Sequence, residues 1–287
     1  MASPLHCAAK NGNTAQILQL LKSGDQHVDL QTQVYGCTPL HLALRWGHQE
    51  TAFALIHHGA DIHLVDTNGV SYLHTASRNC CERVVKHLLE RGAEVSCSDQ
   101  WGSQPIHSAA SGGSRPIMEL LLRNGADVNC KGDAQETPLH KVSQTDRADL
   151  ISFLIDHGAE INHVNNNGWT ALHSAAYFRR HATVSTLIEN GADVTVRAYN
   201  GRVPLECTVT CADGENITVC KKMRVTFDRA MSKYEHARLL ALVFLLNALD
   251  LPVLVVYEIY RVAPRYPTHT VPRFGAWQFI KRVKHRL

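Results

Sequence analysis

Thr38-Pro39-Leu40-His41 is the stretch that decides the fold, because it returns along the chain as variants of itself. The variants are Ser3-Pro4-Leu5-His6, Ser71-Tyr72-Leu73-His74, Gln104-Pro105-Ile106-His107, Thr137-Pro138-Leu139-His140 and Thr170-Ala171-Leu172-His173. Successive histidines stand 35, 33, 33, 33 and 33 residues apart. A second series keeps the same step: Gly59-Ala60, Gly92-Ala93, Gly125-Ala126, Gly158-Ala159 and Gly191-Ala192. Two independent markers locked to one period of this length are the signature of a stacked array of supersecondary units.

Each marker has a mechanical reason to be where it is. A Ser or Thr hydroxyl caps free backbone N–H groups at a helix start, and Pro fits the first helical position. The short apolar helix that follows reaches a break such as Trp46-Gly47-His48, and a second helix places Val84, Val85, Leu88 and Leu89 at helical spacing. Gly92 and its equivalents fall where that helix should end in a left-handed turn. Asp66-Thr67-Asn68-Gly69 then reads as a tight connecting turn.

The TPLH…GA pattern resembles the ankyrin repeat over about residues 2–200. The resemblance implies an all-α solenoid: a right-leaning stack of helix pairs with short hairpins along one edge, followed by a small helical segment. On that reading residues 1–34 form an amino-terminal capping repeat and 35–200 five further repeats. Residues 201–233 hold a degenerate seventh repeat and linker, and 234–287 a basic helical segment. The seventh repeat starts at Gly201-Arg202-Val203-Pro204-Leu205 and has Glu206 where His is due. Repeat three replaces Pro with Tyr72 and repeat six with Ala171. In repeat four, Gly112-Gly113 and Pro116 fall where the second helix is due, which reads as an altered turn between the helices.

The chain has 287 residues, of which 45% are apolar and 19% charged, so disordered and collagen-like classes are excluded. Charge is divided along it. Residues 1–201 hold 15 Lys/Arg against 19 Asp/Glu, and residues 202–287 hold 14 against 7. Nine cysteines include no CxxC pair, and Met1-Ala2-Ser3-Pro4-Leu5-His6 lacks the regions of a signal peptide. The expected setting is therefore reducing, cytoplasmic or nuclear, with free thiols.

Six periodic histidines raise the question of a metal. A row at one position per repeat cannot bring three or four ligands to ~2.0–2.3 Å from one ion, and the resemblance to the ankyrin repeat implies hydrogen bonding to neighbouring backbone instead. His57, His58 and His63 read as exposed residues near a helix end. Cys207, Cys211 and Cys220 have no histidine partner at finger-like spacing. GxSxG, HExxH, P-loop and GxGxxG patterns do not occur, and the acidic residues fall in the periodic slot after Gly-Ala. The expectation is a protein with no catalytic residues, no metal and no cofactor.

What remains is a repeated surface suited to gripping another polypeptide. In the family that this sequence resembles, partners meet the hairpin tips and the exposed ends of the first helices. Carried onto this chain, the tips are Tyr35, Trp101 and Trp169, with Cys37 and Glu136 between them. The helix ends are Arg45-Trp46, Arg78-Asn79, Gln144-Thr145 and Tyr177-Phe178-Arg179. Aromatic residues and Arg at such places suit interface hot spots. Asn129 and Asn162 occupy the slot where many members are hydroxylated, and the same residue type stabilises the turn.

Beyond the array lies an apolar stretch, residues 239–257. Its thirteen Leu, Val and Phe contribute about −4 to −8 kcal/mol to membrane insertion, against about +3 for Asp250. Asn247 and Pro252 reduce that surplus further. Asp250 ahead of Pro252 suits a helix start, so two soluble helices, 234–249 and 251–262, are favoured over a membrane segment, with a third near 273–285. These helices would cap the open end of the stack. A second reading is a loose resemblance to the SOCS box of ankyrin-repeat ubiquitin-ligase receptors, in which Leu239, Leu242, Leu246, Leu251 and Pro252 would bind an elongin-type adaptor. After Glu258, Arg and Lys gather among Tyr260, Tyr266, Phe274, Trp277 and Phe279 without any acid. A solvated amphipathic helix is favoured there over nucleic-acid binding, and Lys281-Arg282-Val283-Lys284-His285-Arg286 also has the composition of a nuclear-import run.

Overall fold

The computed structural model describes residues 3–24, 27–207 and 224–233. Six helix pairs follow one another: α1 (Pro4–Lys10) with α2 (Thr14–Ser23), α3 (Pro39–Arg45) with α4 (Gln49–His57), and α5 (Tyr72–Arg78) with α6 (Glu82–Glu90). They continue as α7 (Pro105–Gly112) with α8 (Arg115–Arg123), α9 (Pro138–Ser143) with α10 (Ala148–Asp156), and α11 (Ala171–Tyr177) with α12 (His181–Glu189). First helices pack on first helices in chain order, from α1 on α3 through to α9 on α11. Second helices form the other layer, α2 on α4, α4 on α6, α6 on α8 and α10 on α12. The array lies within a unit spanning Met1–Thr226, and residues 224–233 form a further helical run. The segment 234–287, with the expected capping helices and the Leu239–Pro252 stretch, lies outside the described residues, as do Cys211 and Cys220.

Isolated helices of six to ten residues are unstable in water, so packing must supply the stability. Each first helix buries the apolar residue just before its histidine, Leu5, Leu40, Leu73, Ile106, Leu139 and Leu172 in turn. Each second helix from α4 onward answers with Leu55, Leu88, Leu121, Leu154 or Leu187, equally buried. Full burial of such a side chain contributes about 1.5–3 kcal/mol, so every interface between repeats holds a similar quantum.

The helix ends follow the sequence. Thr38 Oγ1 accepts from the His41 N–H at 3.3 Å, and Pro39 is the first helical residue. Gly59, Gly92, Gly125, Gly158 and Gly191 take φ between +84° and +92°, the left-handed turn that ends a second helix. In repeat four α7 runs to Gly112, Gly113 turns at φ +72°, and α8 continues unbroken with Pro116 in its first turn. Among the described residues the connecting hairpins form one isolated β-bridge, Val65 with Ser71. Their shape comes from side chains instead. Asp66 Oδ1 accepts from the Asn68 and Val70 N–H groups at 2.8 and 2.9 Å, and Asn165 Oδ1 serves Asn167 and Trp169 in the same way at 2.9 and 3.0 Å. Neighbouring tips are then tied by backbone: Thr67 N–H donates to Tyr35 O, Gln100 to Asn68 O, Asn166 to Ala134 O, and Tyr199 to Asn167 O, at 2.9–3.1 Å.

Candidate functional site

The periodic histidines are used as rivets. In every repeat Nδ1 accepts the backbone N–H of the residue three positions earlier, at 3.0–3.3 Å. Nε2 reaches a carbonyl oxygen at the base of the next hairpin: Cys37 from His6, Val70 from His41, Ser103 from His74, Glu136 from His107, Trp169 from His140 and Arg202 from His173. These distances run from 2.8 to 3.2 Å. A carbonyl only accepts, so the proton sits on Nε2 and the ring is neutral with both nitrogens engaged. Burial pushes all six below the ordinary histidine range, and His41 is lowered to about 4. Such a ring has no lone pair left for a metal, and among the described residues no three His, Cys, Asp or Glu side chains are grouped to hold one.

Glu206 shows how the series ends. Its carboxylate accepts the Val203 N–H at 2.9 Å, which is the histidine's inward contact. A carboxylate has no proton to donate onward, so Glu206 cannot repeat the histidine's outward contact. Pro204–Cys207 is a single 3₁₀ turn that α11 packs against, with Pro204 and Cys207 buried.

The other chemistry-bearing residues are accounted for locally. His57 and His58 donate to the Phe53 and Ala54 carbonyls of their own helix at 2.7 and 2.8 Å and are exposed. The seven described cysteines are free, and burial raises Cys81 to about 11 and Cys130 to about 12, which holds those sulfurs as thiols. Asn129 joins two repeats, donating to Gly158 O at 2.9 Å and accepting from the Glu160 N–H at 2.8 Å. Asn162 accepts the Asp193 N–H at 2.9 Å in the equivalent place.

Outside this frame one face stands apart. Of the large apolar side chains exposed among the described residues, all but Leu30 and Val225 lie in the hairpins or at the ends of the first helices. Tyr35 is 61% exposed, Trp46 56%, Trp101 50%, Tyr177 45% and Phe178 41%. Hairpin and helix end form one surface, because Trp169 meets Tyr177 with ring centroids 5.2 Å apart, and Tyr177 meets Phe178 at 5.2 Å. Repeats one and two share it, since Lys10 Nζ lies 5.5 Å from the centre of the Trp46 ring in the next repeat. Arg45 and Arg78 are exposed at the last turn of α3 and α5.

Three residues expected at or between the tips sit elsewhere. Trp169 is half-buried at the hairpin base, two residues beyond the register of Tyr35 and Trp101, where Asn167 holds the tip. The sequence contains that signal: Tyr35 and Trp101 are 66 residues apart, two whole periods, whereas Trp101 and Trp169 are 68 apart. Cys37 is buried, because its carbonyl receives the His6 rivet. Glu136 is also at a hairpin base and is closed by Lys141 at 2.6 Å and by Gln144 Nε2 at 3.3 Å. Tyr72 was overlooked as a joint: its hydroxyl meets Thr38 Oγ1 at 2.7 Å and its ring lies against His41 at 4.2 Å, inside the array. An aromatic residue in the proline slot was the available signal.

Known proteins match parts of this chain. The crystal structure of the human ASB11 ankyrin repeat domain superposes with a TM-score of 0.66 at 28% identity, over 78% of this chain and 97% of that one. The SMC5-SMC6 complex localization factor protein 1 of Homo sapiens and of Bos taurus is 44% identical over 66 residues, 23% of this chain and 6% of the relative. The human transient receptor potential cation channel subfamily A member 1 is 43% identical over 84 residues, 26% of this chain and 7% of the relative. These curated relatives are thus many times longer than the segment they share with this chain. The family model for ankyrin repeats (3 copies) matches residues 2–66, 55–132 and 106–198, and with it the helix pairs, the glycine turns and the histidine rivets: the chain belongs to the ankyrin-repeat family.

Proposed function

We propose that the chain is a non-enzymatic scaffold that binds a partner protein on the face made by its hairpins and first-helix ends. Ankyrin repeats are protein-interaction modules, and the observation that favours this face is the partition of exposed apolar side chains. A folded array of this kind has every reason to hide Trp46, Trp101, Tyr177 and Phe178, yet they are 41–56% exposed and share one surface. Aromatic side chains bury much area for little lost freedom, so this is where binding energy would concentrate.

Replacing Trp46, Trp101 and Tyr177 together with Ala tests the assignment. The side chains are outside the packed interior, so helical content and melting temperature should be kept, while proteins captured by affinity purification are lost. Capture unchanged in a folded triple variant would place binding elsewhere.

The second reading, an adaptor that delivers its cargo to a cullin-type ubiquitin ligase, is supported by the Leu239–Leu249 and Leu251-Pro252 layout alone. It predicts that the full chain recovers elongin-type adaptors and that Leu239, Leu242 and Leu246 changed together to Asp abolish the recovery. Cargo capture by the aromatic face would be unaffected.

A further inference from the structure

We infer that the partner segment is acidic, an extended stretch of polypeptide with carboxylates about three residues apart, lying along repeats one to three. The inference rests on the protein-binding reading above and adds the chemical class of the partner.

Lys10, Arg45 and Arg78 are the last residues of α1, α3 and α5, one position repeated at the step of the array. All three are exposed, and among the described residues no carboxylate is ion-paired with any of them. The hairpin carboxylates Asp66 and Asp99 turn Oδ1 into their own hairpins. Asp66 binds the Asn68 and Val70 N–H groups and Asp99 the Trp101 and Ser103 N–H groups, at 2.8–2.9 Å. The array as a whole has more acid than base, 19 against 15 over residues 1–201, so a row of three cations without a carboxylate partner at one repeated position runs against its overall charge. The paired cations lie mostly on the second helices, as with Arg83–Glu50, Lys86–Glu90 and Arg123–Glu119.

Spacing gives the register. Packed helices stand about 8–10 Å apart, so the row presents one cation at that interval. An extended chain in the polyproline II conformation rises about 3.1 Å per residue with about three residues per turn, so every third side chain faces the same way and meets the next cation. A single-stranded nucleic acid carries a charge on every unit, which the array's overall excess of acid over base opposes, and this favours a polypeptide. Trp46, over which Lys10 lies, supplies an apolar contact within the basic half. Further along, the surface changes character: the equivalent positions are Ser111, Gln144 and Tyr177, and the exposed aromatic pair Tyr177–Phe178 would take an apolar side chain.

The test is fluorescence anisotropy with the full chain and labelled sixteen-residue peptides. One peptide has Glu at positions 1, 4 and 7 and Phe at 16, a second is its reversed sequence, and a third has Gln for Glu; a labelled oligothymidylate is the fourth probe. Binding is expected for the first or the second, at least tenfold weaker for the Gln peptide, and weakened by added salt. Arg45→Glu with Arg78→Glu should lower affinity at least tenfold. Arg91→Glu with Arg123→Glu makes the same change of charge at the second-helix ends and should leave affinity within a factor of two.

Equal affinity for the Glu and Gln peptides, equal loss in both charge-reversed proteins, tighter binding of the oligonucleotide, or no binding of either Glu peptide would overturn the inference. If that happens while the triple aromatic variant still loses its captured proteins, the face binds protein and only the acidic class is wrong. Melting temperatures of both charge-reversed variants, measured alongside, separate loss of fold from loss of contact.

Discussion

At the scale of the residue, histidine is chosen for its two unlike nitrogens. One side chain caps its own helix through Nδ1 and ties the next repeat through Nε2–H, and no other residue offers an acceptor and a donor in that geometry. His41→Ala removes both contacts, leaves Val70 O with the Asp66 N–H alone and opens a cavity at a buried site, so a loss of about 2–4 kcal/mol is expected in urea titration. Acid acts on the same contact. In the unfolded chain His41 takes a proton near its ordinary value of 6.5, whereas in the folded array it does so only at about 4. Between those values the unfolded chain binds more protons, so stability is whole above about pH 6.5, drains as pH falls, and for His41 is lower by about 3 kcal/mol once pH is below 4. The other five rings are lowered too and add in the same direction. Melting temperature against pH should fall steeply on the acid side of 6.5, and a flat profile down to pH 5 would contradict the assigned neutral tautomer. Gln135 makes an opposite prediction. It stands where Gly69, Gly102 and Gly168 stand, at φ +61°, a conformation that a Cβ disfavours. Gln135→Gly should stabilise the chain by several tenths to about 1 kcal/mol, read as a higher urea midpoint.

At the scale of the element, short helices tolerate close approach because their contact residues are small. Gly112 at the end of α7 is the tightest case: a Cβ there would run into the Arg78 carbonyl oxygen at the end of α5, with the Ser77 oxygen 3.2 Å away. Backbone atoms cannot give way as a side-chain tip can, so Gly112→Ala should cost about 1–3 kcal/mol. Circular dichroism would register a lower melting temperature for it, while Ser111→Ala next door, at an exposed position, should change little. The helix pairs and their glycine turns were legible from the chain because local rules dictate them: hydroxyl before proline, apolar residues at helical spacing, glycine at the left-handed end. The hairpins were less so. Their backbone is held by Asp66, Asp99 and Asn165 within a repeat and by tip-to-tip bonds between repeats, and the second kind exists only once the stack is built.

At the scale of the whole molecule, each repeat touches only its neighbours, so stability is a sum over interfaces and a weak link divides the array. His107 joins repeat four to repeat five through Glu136 O. His107→Ala should therefore let the repeats on its two sides open at different urea concentrations, which hydrogen exchange followed by mass spectrometry resolves peptide by peptide. His6→Ala, at the end, should only fray repeat one. A single transition that shifts uniformly in the central variant would mean that cooperativity reaches further than one interface. The same modularity lets one face be specialised without disturbing the rest, since Trp46, Trp101 and Tyr177 are held at their backbones by a frame that their side chains do not enter.

The period of 33, the helix pairs, the left-handed glycines and the structural role of the histidines were determined by the amino-acid sequence, because each depends on residues within one repeat or on strict repetition between them. Which aromatic residues are exposed was not. The register of Trp169, two residues off that of Tyr35, keeps it from the tip, but only the stack folds it back on His173 and Tyr177, with centroids 6.3 and 5.2 Å away. Cys37 and Tyr72 likewise look like surface and helix-start residues until the neighbouring repeat arrives to cover them. Exposure is a property of what lies alongside, and in a stacked array what lies alongside comes from some thirty residues away.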